Sequence, residues 1–391
     1  MLTPRSTLTR RVAAALDASP SRIPVLLGGC GSGRTTLLHQ LRERIGRGAV
    51  QFVDVERVAT TPERFLRAVA ATSPFPPAAD QGARCAFEAT LRLLDTARTA
   101  AGEPVTFLLD EFLELRTFES FPGLRRALHA LTDMLAASPN RFVLTSRYVA
   151  RALRLLRDRS ARFEVIHIPP LSAEDALDIL GPTAGAGAAH EADYLARAVQ
   201  ALADGRPAYV RALADELSLL RDHGVGAQDG GPPAGGDDPI SALAALLGPG
   251  GHLARLCGFS YELRLHRARG YGALKAILEI LAEQEDLTLT EISLRLQRTP
   301  GSTKDYLSWL EDVDLVTARQ KRYSFADPVL RLWVRLHCRA TPPTEDDVAR
   351  EIHRYALPRL PQLREPAMAM AAAGGVPVEE DKKAWGIIEI D

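Results

Sequence analysis

The 391-residue sequence predicts an α/β fold, a parallel sheet with helices on both faces, followed by a helical lid and a small module of helices and one hairpin. Three observations carry that prediction. Five short apolar runs between residues 20 and 180 alternate with stretches of helical period. A glycine-dense turn joins the first run directly to a helix. Past residue 240 the pattern changes to closely spaced helices with a single hairpin.

The first run, Ile23 to Leu27, reads as a buried parallel strand, and Leu37, Leu38 and Leu41 recur at helical spacing over Thr35 to Arg44. Between them, Gly28 and Gly33 hold the glycine positions of a phosphate-binding loop, G-x-x-x-x-G-K-[ST]. Glycines let successive N–H groups turn inward around an anion, and the following helix offers its free N–H groups and positive dipole end to the same charge. The whole stretch is therefore the expected nucleotide contact: Gly28, Gly29, Cys30, Gly31, Ser32, Gly33, Arg34, Thr35 and Thr36. The Thr35 hydroxyl is the expected magnesium ligand. Arg34 stands where the pattern has lysine, and a planar fork is not a point charge. Only five of the 48 basic residues are lysines, so Arg34 either keeps the charge in an arginine-rich chain or marks a site that binds nucleotide and turns it over poorly.

Val50 to Val55 alternates as a second strand, and Pro62 to Ala71 and Arg84 to Ala100 read as helices around the proline-rich Ser73 to Ala79. The third strand, beginning at Val105, ends in Asp110 and Glu111. An apolar strand ending in this acidic pair is the usual companion of a phosphate loop: Asp110 holds a magnesium-bound water, and Glu111 orients or deprotonates the attacking water. Leu124 to Ala137 reads as a helix. The fourth strand, from Phe142, ends in Thr145, Ser146 and Arg147; Thr145 or Ser146 could bond the lytic water, and Arg147 reaches toward the γ-phosphate or simply begins the next helix. A fifth strand, Phe163 to Ile168, precedes Ser172 and Asp175, spaced as a capping box. Residues 1–180 form the expected nucleotide domain.

Residues 181–223 hold two helices and no strand, Glu191 to Ala203 and Ala208 to Arg221, as a lid would. Gly205 ends one and Pro207 starts the other. Residues 224–239 have the composition of a flexible linker. In residues 240–340 the helices Tyr271 to Ala282, Leu289 to Leu296 and Thr303 to Glu311, with Thr299 to Ser302 as a turn, precede two strands, Val313 to Thr317 and Tyr323 to Phe325, around a basic tip. That order predicts a helix-turn-helix with a β-hairpin wing, a winged helix, closed by Asp327 to His337. Such a module can set its third helix in the major groove of double-stranded DNA, with Arg298, Ser302, Thr303, Lys304, Arg319, Lys321 and Arg322 as backbone contacts. Ten basic against ten acidic residues between 270 and 340 leave no net attraction, and a protein partner stands as the alternative. Residues 341–391 hold a helix, Thr344 to Ala356, then an Ala/Gly/Pro-rich tail. Its last peptide, Glu379 to Asp391, could add a strand to a partner's sheet.

The composition excludes several classes. A net charge of −1 gives no global pull toward nucleic acid. Cys30, Cys85, Cys257 and Cys338 show no paired or zinc-type spacing, which points to a reduced, cytoplasmic setting. No apolar run approaches the ~20 residues of a membrane span. Arg5 to Leu16 is basic and amphipathic, read as a first helix beside the loop in preference to a transit peptide.

On residues Gly28 to Thr35, Leu108 to Glu111, Leu144 to Arg147, Pro170 to Ser172, Gly205 to Pro207 and the module Tyr271 to Trp333, the chain resembles the P-loop ATPases of the AAA+/STAND division, in the layout of the archaeal-type and origin-recognition ATPases. The likeness spans about residues 20–340. It implies a five-stranded ASCE sheet with the loop strand central and ATP with Mg²⁺ as ligands. Catalytic roles fall to Glu111 and the sensor arginine Arg147, and lid contacts come from Gly205 and Pro207. Arg206 and Arg211 are both candidates for a second sensor. Ring-forming relatives imply a nucleotide-dependent homo-oligomer. The function so implied is an ATP-dependent switch with slow turnover, driving DNA or a protein partner; the alternative is a non-hydrolysing nucleotide-binding scaffold.

Overall fold

The computed structural model describes residues 6–75, 86–181, 188–224, 238–266 and 270–361. Of the linker expected at 224–239, residues 225–237 lie outside these, as do Cys85, much of the proline-rich stretch and the C-terminal peptide; Gly224 ends one helix and Pro239 begins another. Five strands, β1 (Ile23–Leu27), β2 (Val50–Asp54), β3 (Thr106–Asp110), β4 (Arg141–Ser146) and β5 (Phe163–His167), pair in parallel in the order β2-β3-β4-β1-β5. The loop strand β1 is interior, between β4 and β5, but β4 is the middle strand. That corrects the expected central place of the loop strand. The acidic end of β3 lies two strands from β1, separated by β4.

Around the sheet run α1 (Ser6–Asp17), α2 (Arg34–Ile45), α3 (Val55–Val58), α4 (Pro62–Ala71), α5 (Ala86–Thr96), α6 (Ala127–Ala137), α7 (Val149–Leu156) and α8 (Ala173–Leu180). Successive strand residues face opposite ways, so each run supplies two cores. Leu26, Leu108, Val143 and Ile166 pack against Leu37, Leu38 and Leu41 of α2 and Val12 and Leu16 of α1. Val25, Leu27, Phe107, Leu109, Phe142 and Leu144 face the other core. Three buried leucines, each contributing roughly 1.5–3 kcal/mol, thus fix the helix whose first turn carries Thr35. The capping box at Ser172 and Asp175 forms.

Among the elements with no counterpart in the sequence pattern is a 3₁₀ stretch from Phe112 to Ser120. The chain leaves β3 through Glu111 in the left-handed region, φ 54°, and Phe112, Leu113, Leu115 and Phe118 then plug the core. A helical period of 3.6 does not describe such a segment.

The segment expected as a lid forms α9 (Ala188–Leu202) and α10 (Pro207–Gly224). After α11 (Pro239–Leu247) and α12 (His252–His266) come α13 (Tyr271–Glu283), β6 (Leu287–Thr288), α14 (Leu289–Leu296), α15 (Pro300–Asp312), β7 (Val316–Arg319), β8 (Arg322–Phe325), α16 (Pro328–His337) and α17 (Glu345–Ala356). Strands β6, β8 and β7 form an antiparallel sheet in that order. Helix α15 begins three residues earlier than the spacing predicts, because Thr299 caps it through the Ser302 N–H and Pro300 fits the first helical position. Residues up to Leu360 form one compact unit.

Candidate functional site

The loop from Gly28 to Thr35 leaves β1 and enters α2 with Gly31 and Gly33 at φ 77° and 84°, a conformation that disfavours any side chain. Beside it lies a cavity of about 340 Å³, bounded by residues 31–37, Gln40, Leu171, Pro207, Ala208 and Arg211. The first turn of α10 lies directly against the loop. A methyl group on Gly31 would stand 3.3 Å from Ala208 Cβ, and one on Gly33 3.6 Å from Pro207 Cγ. Thr35 and Thr36 both line the cavity.

At the loop's far end, Thr35 Oγ1 donates to Asp110 Oδ2 at 2.6 Å. Thr145 Oγ1 donates to the other Asp110 oxygen and accepts from the Glu111 N–H at 3.1 Å. Burial raises the Asp110 pKa, against the two threonine hydrogen bonds that favour its ionised form. A hydroxyl and a carboxylate facing one another are hard oxygen donors suited to Mg²⁺, which takes few protein ligands and shares the rest of its shell with phosphate and water. The donor set therefore fits the ion that the sequence implies.

Arg34 turns inward. Its guanidinium donates to the carbonyls of Gly28 and Gly29, to Ser32 Oγ at 3.1 Å and to Glu111 Oε1 at 2.7 Å. Its Nε is buried without a hydrogen-bond partner among the described residues. The second Glu111 oxygen accepts the Arg147 N–H at 3.0 Å, with Arg147 Nε 3.4 Å away. Burial alone would raise the Glu111 pKa, but Arg34 and Arg147 together hold it below the usual carboxylate value. Arg147 itself is drawn among carboxylates: Glu56 pairs with it, and Glu114 lies 3.7 Å off. In this conformation its guanidinium is held by Glu56, Glu111 and Glu114. Glu56, in the short α3, and Glu114, in the 3₁₀ stretch, carry no sequence signal.

The two lid arginines separate clearly. Arg211 lines the cavity. Arg206 instead bridges the loop to the C-terminal module, donating to Cys30 O at 2.9 Å and to Ala326 O at 2.7 Å, with Asp327 Oδ2 3.3 Å away. Tyr209 OH donates to the same Asp327 oxygen at 2.7 Å. Gly205 does not touch the loop. Its backbone bonds Gln200 and Leu171, and a methyl group there would lie 2.5 Å from Pro170 Cβ. Its role is the tight turn that delivers Arg206 and Pro207. A further residue reaches the loop from the turn after α15: a methyl group on Gly29 would lie 3.0 Å from both Asp314 Oδ2 and Arg206 Nη1.

Of the residues expected at a DNA backbone, Arg298, Lys304, Arg319, Lys321 and Arg322 are exposed and Ser302 is half-buried. Thr303 is fully buried, its hydroxyl bonded to Thr299 O at 3.0 Å. It is a core residue of α15 and is corrected here: starting the helix at Pro300 rotates position 303 inward. The charge balance also changes with folding. Asp312 pairs with Arg154 and lies 3.9 Å from Arg151, both on α7, while Asp314 and Asp327 turn toward Arg206. Between 270 and 340 this leaves seven exposed basic residues (Arg295, Arg298, Lys304, Arg319, Lys321, Arg322, Arg339) against five acidic ones (Glu279, Glu283, Asp286, Glu291, Asp305).

No protein-family model matches the chain, and no curated protein matches it. Among solved structures it is similar to the Walker-type ATPase PABY2304 of Pyrococcus abyssi, at 18% identity and a TM-score of 0.59, over 85% of this chain and 96% of that one. Looser superpositions, which carry no argument beyond this, are found with the Thermotoga maritima RuvB Holliday junction branch migration motor (13% identity, TM-score 0.42, 83% and 92% covered) and Cdc6p from Pyrobaculum aerophilum (13%, 0.40, 92% and 96%). The fold, a five-stranded parallel sheet with helices on both faces, is the one it shares with that Walker-type ATPase.

Proposed function

We propose that this chain is an ATP-binding molecular switch with slow, magnesium-dependent ATPase activity, coupling nucleotide state to its C-terminal module. The observation that carries the reading is the Thr35–Asp110 contact at 2.6 Å, at the end of a glycine loop and beside Glu111. Backbone N–H groups of residues 28–35 would hold the phosphates, Thr35 and Asp110 the metal, and Leu171, Pro207 and Ala208 form the apolar wall of the cavity. Magnesium supplies charge neutralisation on the phosphates when bound. Glu111 would accept the proton of the attacking water, once freed from Arg34. Two conformations with different affinities for ATP and ADP are what a switch requires; Arg206, joined to loop and module at once, supports such coupling.

A second reading is favoured by a specific observation. Both Glu111 oxygens are taken by Arg34 and Arg147, as a scaffold that binds nucleotide without hydrolysing it would tolerate.

Saturating MgATP is expected to raise the melting temperature of the purified chain, since a ligand at a hundredfold its Kd adds about 2.7 kcal/mol. An unmoved transition together with no heat in titration calorimetry would end both readings.

For the output, we read α13–α15 with the β7–β8 hairpin as a winged helix that presents Arg298, Lys304, Arg319, Lys321 and Arg322 to duplex DNA. Replacing Arg319, Lys321 and Arg322 by alanine is then expected to weaken duplex binding and to lower the slope of log K against log salt by about 3. Salt-independent or undetectable duplex binding would assign the module to a protein partner instead.

A further inference from the structure

We propose that the C-terminal module carries a second anion site, separate from the glycine loop, which takes a small phosphate monoester between α16 and α17. Arg331 and Arg335 lie one helical turn apart on α16 and so share a face. With Arg354 of α17 and Arg359 just beyond that helix, they wall a cavity of about 370 Å³. Tyr355 and Pro358 give the cavity an apolar side. It shares no lining residue with the cavity at the loop. Two acids, Glu283 and Glu351, also line it, so four guanidinium groups meet two carboxylates. Counting the nearest outside partners leaves the excess unchanged. Glu285 lies 3.1 Å from Arg331 and Arg339 lies 3.3 Å from Glu351, which makes five against three. Asp204, which Arg359 also influences, is paired with Arg206 at 3.6 Å.

The one buried acid cannot neutralise this group. Arg335 grips both Glu351 oxygens, at 2.8 and 3.1 Å, while Arg339 and Arg354 reach Oε1 at 3.3 and 3.5 Å. Burial works to raise the Glu351 pKa, but the bonds and charge of Arg335, with Arg354 and Arg339 behind it, hold the acid ionised. Arg331 gives Nε to Ala282 O at 3.1 Å and Nη1 to Glu285. Arg359 gives Nη1 to Tyr355 O at 2.9 Å and lies over the Tyr355 ring, 4.0 Å from its centre. Among the described residues these two forks have no further hydrogen-bond partner, which leaves Arg331 Nη2 and Arg359 Nε and Nη2 as donors. Burial draws the Arg331 guanidinium below its ordinary pKa, and Arg335 and Arg359 push the same way against Glu285. Like charges gathered in a part-buried place are held at a cost until an anion joins them. A phosphate monoester carries about −1.5 to −2 at neutral pH with three acceptor oxygens, and arginine forks take it bidentately. That charge matches the excess of two; a monocarboxylate would meet only half of it.

The test titrates phenyl phosphate into the full chain by calorimetry, with benzoate as a monoanion of similar shape. Phenyl phosphate is expected to bind, more tightly than benzoate, and to slow amide exchange over α17, residues 345–356. Arg331→Gln and Arg354→Gln should each weaken it about tenfold or more, because each removes a hydrogen-bond donor to a charged group. If Arg331→Gln does not fold, Arg354→Gln decides, since that side chain is largely exposed. Binding that both variants leave within twofold, or that slows exchange only at residues 28–37, belongs to the glycine loop and would overturn the proposal. So would a chain that ignores phenyl phosphate yet binds duplex DNA less tightly in the two variants. Failure of the parent to bind MgATP would remove the nucleotide reading and leave this site standing.

Discussion

Glu111→Gln is expected to abolish measurable phosphate release while leaving MgATP affinity within about threefold of the parent, because a positioned general base contributes about 10²–10⁴-fold and little ground-state binding. Glutamine preserves the shape and one acceptor oxygen at a residue that is 6% exposed. It cannot take a proton from water. Its amide also meets the donors of Arg34 and Arg147, so one of the contacts at 2.7 and 3.0 Å is lost. The variant should therefore melt lower than the parent, with two buried guanidinium groups less well paired. Single-turnover phosphate release, read beside calorimetric ATP affinity, checks this. A parent that releases phosphate and a variant that matches its rate would strip Glu111 of the role. Equal near-zero rates in both would select the non-hydrolysing scaffold.

Arg206→Ala is expected to destabilise the folded chain by roughly 3 kcal/mol, the lower end of what removing one partner of a buried pair costs. Arg206 is mostly buried and joins Cys30 O, Ala326 O and Asp327. Without it Asp327 keeps the Tyr209 hydroxyl and the N–H groups of Val329 and Leu330, which it caps; that moderates the loss. The two carbonyls lose their side-chain donor outright. Arg206→Lys should recover only part of the stability, since one ammonium cannot reproduce a fork that spans loop and module. Urea unfolding of the three proteins gives the comparison. An alanine variant as stable as the parent would mean that the module is held by its other contacts, those with α7 and those with the helices α9 and α10.

Much of the architecture was legible before any coordinates. Ile23–Leu27, Val50–Asp54 and Phe163–His167 appear where apolar runs predict strands, and Pro62–Ala71 and Leu289–Leu296 are helices with the expected bounds. These features depend on neighbours in the chain: side-chain period, a cap, a proline at the first helical turn. The 3₁₀ stretch after Glu111 escaped because its aromatic residues are spaced for plugging a core and follow neither period. The order of the strands placed β4 in the middle, where the resemblance had implied the loop strand.

The candidate site divides the same way. The glycine loop, the Asp110–Glu111 pair and the Thr145 hydroxyl are consecutive or near-consecutive signals, and the parallel sheet brings their strand ends to one edge by construction. Whether Arg206 or Arg211 faces the cavity, which way Arg34 turns, and what Asp312 and Asp314 pair with could not be read that way. By sequence alone this chain specified a phosphate loop, an acidic strand end and a hairpin module. Only the tertiary structure decided that the module's acids lie over the loop and against α7. Such contacts join residues more than 150 positions apart, and no local period or spacing records how two modules dock.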